Sequence, residues 1–162
     1  MIVLKNILVA TDFSDSAAVA LTYGKDLART FNARLHLAHM VDDVMARCSP
    51  EVSFVAPDVQ KDLEARAWRE LRALMANDPT PHIIPVVQTC VNIPHAIIEY
   101  AKANGIDLII TGTHGRGPIK HLLMGSVAER VVRTAPCPVL TVHAKERDFI
   151  APDALVAVAK AS

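Results

Sequence analysis

The chain has 162 residues, and 17 Lys and Arg balance 17 Asp and Glu to a formal net charge of zero. It is 51% apolar and 4% aromatic, a composition suited to one globular α/β domain with a real core. Balanced charge and the lack of a polybasic patch speak against nucleic-acid or membrane-surface partners, and without a run of about 18 apolar residues nothing in the sequence is expected to insert into a bilayer.

The predicted elements alternate. The opening Met1-Ile-Val-Leu-Lys-Asn lacks the apolar stretch and cleavage site of a secretion signal, so a cytoplasmic location is expected. Ile7–Ala10 is a short apolar run, read as a buried strand. Ser14 is a candidate N-cap for a helix whose inward stripe is Ala17, Ala20, Leu21, Gly24, Leu27, Ala28 and Phe31. Arg34–Val41 is a second strand. A polar connection over 42–57 leads to a second helix striped by Val59, Leu63, Ala67, Leu71 and Leu74. Residues 77–81 break that helix. His82–Gln88 follows as a third strand, whose Pro85 favours a sheet edge. Asn92 and Pro94 open a third helix that ends at Asn104-Gly105. Asp107–Thr111 is the fourth strand, Ser126–Thr134 the fourth helix, and Cys137–His143 the fifth strand.

Alternating strands and helices predict a Rossmann-like parallel sheet covered by helices on both faces. Ligands on such sheets sit at the C-terminal strand ends, where the strand order reverses. Two strand ends carry unusual chemistry. Strand 1 runs into Ala10-Thr11-Asp12, and strand 4 runs into Gly112-Thr-His-Gly115-Arg116, nine residues before Gly125-Ser126. A 3-2-1-4-5 order would place both in one crevice.

The second segment reads G-x2-G-x9-G-S. Glycines at a strand end let backbone N–H groups approach phosphates, and a helix start at Gly125-Ser126 favours an anion. A plain turn would use the same glycines. The segment carries Arg116, Lys120 and His121 and no acidic residue between Gly112 and Gly125, which suits a phosphate, although such charges also serve as solvated loop. Asp12 can accept hydrogen bonds from a ribose or an adenine amino group, or can stand as a helix N-terminal acid. Ser126-Val-Ala-Glu129 reads as a capping box, with the serine hydroxyl also a phosphate candidate. His114 titrates near neutrality and would position a phosphate or act as acid or base. G-x-x-x-x-G-K-[ST] is absent, as is G-x-G-x-x-G after strand 1. Cys48, Cys90 and Cys137 form no C-x2-C pair and read as inert thiols, and the seven histidines show no metal-ligand spacing.

At these residues the chain resembles the universal stress proteins of the UspA type. The resemblance covers about residues 3–143 and rests on Ile7-Leu-Val-Ala-Thr-Asp12, on Asp107 through Arg116, on Gly125-Ser126, and on Ala135-Pro-Cys-Pro-Val-Leu-Thr-Val142. It implies one domain over 1–146 with a C-terminal tail at 147–162, an open five-stranded sheet of order 3-2-1-4-5, and binding of ATP or AMP with Mg²⁺ or Mn²⁺ on the phosphates. It assigns Asp12 to the ribose or adenine, Ala10, Thr11 and the Val41 backbone to the adenine side, and Thr111 and Gly112 to the ribose. His114 stands beside the phosphates, which Gly115, Arg116, Gly125, Ser126 and Val127 hold. Val139–Val142 would pair with its copy in a homodimer. The implied role is stress-response regulation through a protein partner that the sequence does not name, with at most weak ATP hydrolysis.

Overall fold

A computed structural model of the chain describes residues 1–47, 56–76, 78, 80, 82–113 and 124–144. Five strands, β1 (Asn6–Ala10), β2 (Arg34–Asp42), β3 (Ile83–Cys90), β4 (Leu108–Gly112) and β5 (Val139–Val142), form one sheet of order β3-β2-β1-β4-β5. All four pairings are parallel. Helices α1 (Asp15–Phe31), α2 (Ala56–Met75), α3 (Ile93–Ala103) and α4 (Ser126–Thr134) follow β1, β2, β3 and β4. The expected fold class and strand order therefore stand.

The strands read as unbroken apolar runs because both of their faces are covered. Successive side chains alternate between two cores. Ile7 and Val9 join Leu35, Leu37, Leu71 and Ile110 on one face, while Leu8 joins Ile97, Ile109 and Val131 on the other. Burying each such side chain stabilises the fold by about 1.5–3 kcal/mol, so the central strand carries the most weight.

Local signals set the element ends. Ser14 caps α1 by accepting from the Ala17 N–H (3.3 Å), and Asn92 caps α3 by accepting from the His95 N–H (3.1 Å). Helix α1 stops at Asn32 in a left-handed conformation, and Gly105 (φ +58°) turns the chain out of α3 into β4. Pro85 lies in β3, an edge strand.

The stripe predicted for α2 holds in its second half alone. Ala67 and Leu71 are buried, whereas Val59 and Leu63 are exposed. Gln60 is buried in their place. Its Oε1 accepts from the Val44 N–H (3.0 Å), and its Nε2 donates to Glu64 (3.2 Å) and to Thr89 (3.3 Å), whose hydroxyl donates to Glu64 (2.6 Å). The start of α2 thus packs through a polar network onto the ends of β2 and β3, a choice that apolar periodicity does not reveal.

His36 introduces a pH dependence. It is 5% exposed, its Nδ1 meets the Tyr100 hydroxyl at 2.8 Å, and its Nε2 has no partner among the described residues. Burial first, and the nearby Arg34 second, hold its pKa below the ordinary value. The unfolded imidazole protonates around pH 6.5, while the folded one stays neutral to a lower pH. Stability is therefore complete above about pH 6.5 and declines as the pH falls from there toward the folded pKa. Denaturant midpoints are expected to drop across that window, and His36→Gln, which stays neutral, to flatten the slope. An unchanged slope in the variant would place the dependence elsewhere.

Candidate functional site

The C-terminal end of β1 and the C-terminal end of β4 lie side by side, with Ala10 opposite Thr111 and also opposite Ala38 of β2. The pairing of β1 with β2 continues for one residue, through a Thr11 N–H bond to the Ala38 carbonyl (2.9 Å). The chain then turns sharply. Phe13 takes a positive φ of 63°, a conformation that bulky side chains rarely adopt. Local bonds hold it there: Phe13 N–H donates to Thr11 Oγ1 (3.0 Å), and Asp12 Oδ1 accepts from the backbone N–H and the hydroxyl of Ser14 (3.1 and 2.5 Å). The Phe13 ring lies over His39, with centroids 4.5 Å apart, and His39 Nδ1 meets the Thr11 carbonyl at 2.8 Å. Asp12 thus organises the start of α1, which realises the helix-terminal alternative.

On the β4 side, Gly112 pairs with Val142. Thr113 N–H donates to the Val142 carbonyl (2.8 Å), and the Thr113 carbonyl accepts from the Gly125 N–H (2.6 Å). That last bond brings the start of α4 to the end of β4. Thr113 Oγ1 also meets His143 Nδ1 at 2.7 Å.

One sequence expectation needs correction here, and one motif glycine gains a packing reason. The corrected expectation is the capping box. The N-cap of α4 is Gly125, in an extended conformation (φ −68°, ψ 152°) and with no side-chain cap. Ser126 is the first helical residue, so its hydroxyl cannot reach back as a cap does, and Glu129 stands 3.7 Å from Arg133. The leading N–H groups of α4 have no intrahelical partner, and among the described residues no side chain caps them, so they form the anion-favouring end of a helix. The glycine is Gly112. A Cβ there would lie 2.5 Å from Ser16 Oγ and 2.9 Å from the Ser16 carbonyl carbon. Helix α1 by itself demands a glycine at this position.

The fold brings Ala10, Thr11, Asp12, Thr111, Gly112, Gly125, Ser126 and Val127 to one end of the sheet. Val41 overhangs it, three residues past Ala38, the last residue of β2 in register with β1, about 10 Å along the strand direction. His114, Gly115, Arg116, Lys120 and His121 lie outside the described residues. Ser14, Ser16 and Thr113, which sequence reasoning did not single out for the site, are the groups that tie its parts together. The short polar repeat Ser14-Asp15-Ser16 beside Asp12 was the available signal. Cys90 and Cys137 are free and partly buried, and burial pushes both thiols up, away from the reactive thiolate.

An open parallel sheet whose order reverses between β1 and β4, with a polar turn and the start of α4 meeting at that point, defines a Rossmann-like domain, and the switch point is where folds of this class hold their ligands. The model of the universal stress protein family matches residues 4–143, and the chain belongs to that family. Universal stress protein A homolog 1 of Coxiella burnetii is 30% identical over 147 residues, covering 88% of this chain and 98% of that protein. The structure of UspA from Lactobacillus plantarum superposes with a TM-score of 0.76 at 28% identity, covering 88% of this chain and 99% of that one. A universal stress protein solved in complex with cAMP shares the fold, with a TM-score of 0.59 at 24% identity, covering 89% of this chain and 100% of that one. No helix among the described residues is long and apolar enough to cross a membrane.

Proposed function

We propose that this protein binds an adenine nucleotide, ATP or AMP, at the C-terminal ends of β1 and β4, and acts as a cytoplasmic regulator in the stress response. The observation that carries this reading is the bond from Gly125 to Thr113, which holds the start of α4, without a side-chain cap among the described residues, against the end of β4, next to the Asp12 turn. Phosphates suit the α4 end, where the leading N–H groups and the helix dipole favour negative charge. Sugar and base suit the other side, where Asp12 accepts hydrogen bonds and Ala10, Thr11 and Val41 border the crevice. Thr111 and Gly112 stand between the two, while His114, Gly115 and Arg116 join Gly125, Ser126 and Val127 on the phosphate side. Mg²⁺ or Mn²⁺ would be held by phosphate oxygens. A solved protein of the same fold is a complex with cAMP, so the architecture can accommodate an adenine nucleotide.

Asp12 is tied into its turn by Ser14, which suits holding a ligand better than activating a water. The nucleotide therefore acts as a conformational ligand. Strand β5, at the sheet edge with Val139, Leu140 and Thr141 only part-buried, has an edge unpaired among the described residues that a second copy could extend, so the protein works as a homodimer through Val139–Val142. The domain ends at about residue 146.

Mass spectrometry of ligand released from the purified protein is expected to find an adenine nucleotide, and ATP is expected to raise the melting temperature. Neither result appearing would end this reading. Turnover above about one per second, within the usual enzyme range, would replace regulation with catalysis. A monomer by sedimentation would remove the dimer. Gly115→Val is expected to abolish nucleotide binding with little change in melting temperature, because a branched side chain would fill space meant for phosphate. Wild-type affinity in that variant would contradict the phosphate cradle.

A further inference from the structure

Beyond Ala10 and Thr111 the two halves of the crevice part. One chain enters α1, and the other heads toward α4. A line of contacts reconnects them. Gly112 presses on Ser16 so closely that a Cβ would stand 2.5 Å from its hydroxyl oxygen. Ser16 is 3% exposed, so packing sets its place. Its hydroxyl stands 3.2 Å from that of Ser14, and Ser14 donates to Asp12 Oδ1 at 2.5 Å. Ser14 is in turn anchored as the N-cap of α1. The line runs from the Asp12 carboxylate, through two serine hydroxyls seated at a helix start, to the main chain of β4.

We propose that Ser16 is a positioning residue that fixes the separation between the Asp12 half and the α4 half of the crevice, so that one ligand can satisfy both. The proposal rests on the nucleotide reading above and adds the device that registers its two parts. Serine suits this position because it is small enough to lie against Gly112 and carries a hydroxyl for Ser14. Gly112 is its complement, since the missing Cβ is what allows the approach. Ligands that need both halves are sensitive to their spacing, because displacements of about 1 Å already cost large factors in a preorganised site.

The test separates ligands by reach. Adenosine engages the Asp12 half, whereas MgATP spans both. Calorimetric titration of Ser16→Ala, which keeps the backbone and Cβ against Gly112 and drops the hydroxyl, is expected to show MgATP weakened about fivefold, the worth of roughly one hydrogen bond. Adenosine affinity is expected to stay at the wild-type value. Equal weakening of both ligands, or no weakening of MgATP, overturns the proposal. A ligand-free measurement tests the contact itself. Gly112→Ala alone is expected to lower the melting temperature, and pairing it with Ser16→Gly to recover part of that loss; strictly additive losses would overturn it. Wild-type protein that binds neither probe overturns the nucleotide reading and the role of Ser16 with it, whereas wild-type binding with an unaffected Ser16→Ala overturns this proposal alone.

Discussion

Gly112→Val is expected to cost the protein stability and ligand affinity together. The new Cβ would stand 2.5 Å from Ser16 Oγ and 2.9 Å from both the Cβ and the carbonyl carbon of Ser16. A flexible side chain could swing away from such a clash, but the backbone of a helix start cannot. Overpacking of this kind costs about 1–3 kcal/mol, and the branched methyls add to it. The relief available is to push α1 and the end of β4 apart. That movement would shift the Thr113 carbonyl, which holds Gly125, away from the Asp12 turn. Urea unfolding should show a lower midpoint, and MgATP titration a weaker affinity. Gly115→Val, by contrast, is expected to lose affinity alone. A Gly112→Val protein of wild-type stability would show that the contact with Ser16 is not close.

The second large effect lies in the core. Gly24 sits on the inward stripe of α1, and a Cβ there would run into Cγ2 of Val9 and approach Leu35 Cδ1 (3.4 Å) and Ile110 Cδ1 (3.7 Å). Val9, Leu35 and Ile110 are fully buried strand residues, so none can turn aside into solvent. Gly24→Val adds overpacking of about 1–3 kcal/mol, and the usual gain from removing a helical glycine is offset by the β-branch. Against a total stability of about 5–15 kcal/mol, this should lower the melting temperature by roughly 5–10 °C. Gly105→Ala is the informative control, since nothing lies within 4 Å of its Cβ position and its φ of +58° leaves conformational strain as the main cost. If Gly24→Val melted no lower than Gly105→Ala, close approach of α1 to the sheet would not be the reason for the glycine.

Much of the architecture was readable in the chain because its signals are local. Ile7–Ala10 and Asp107–Thr111 read as buried strands since parallel strands covered on both faces need no polar alternation. Ser14 and Asn92 announced helix starts because a cap is a contact between neighbours three residues apart. Pro85 announced an edge because it has no N–H to offer a second neighbour. Sequence and structure part where a partner distant in the chain decides. Val59 and Leu63 continue the α2 stripe by spacing but face solvent, since the inward position at that end goes to Gln60 and its bonds to Val44 and Thr89. Ser126 looks like a cap by composition, but Gly125, held by Thr113, takes the extended conformation that a cap requires.

By itself the sequence determined the order of strands and helices, the family, and the two segments from which a ligand crevice would be built. Apolar periodicity, caps and motif glycines are carried by residues close together in the chain, and they needed no coordinates. The tertiary structure alone decided how those two segments register. Asp12 and Gly112 are far apart in the chain, and their spacing is set by α1 lying across β4, with Ser14 and Ser16 filling the gap. No local rule marks Ser16, because its significance lies in the missing Cβ of a residue on another strand.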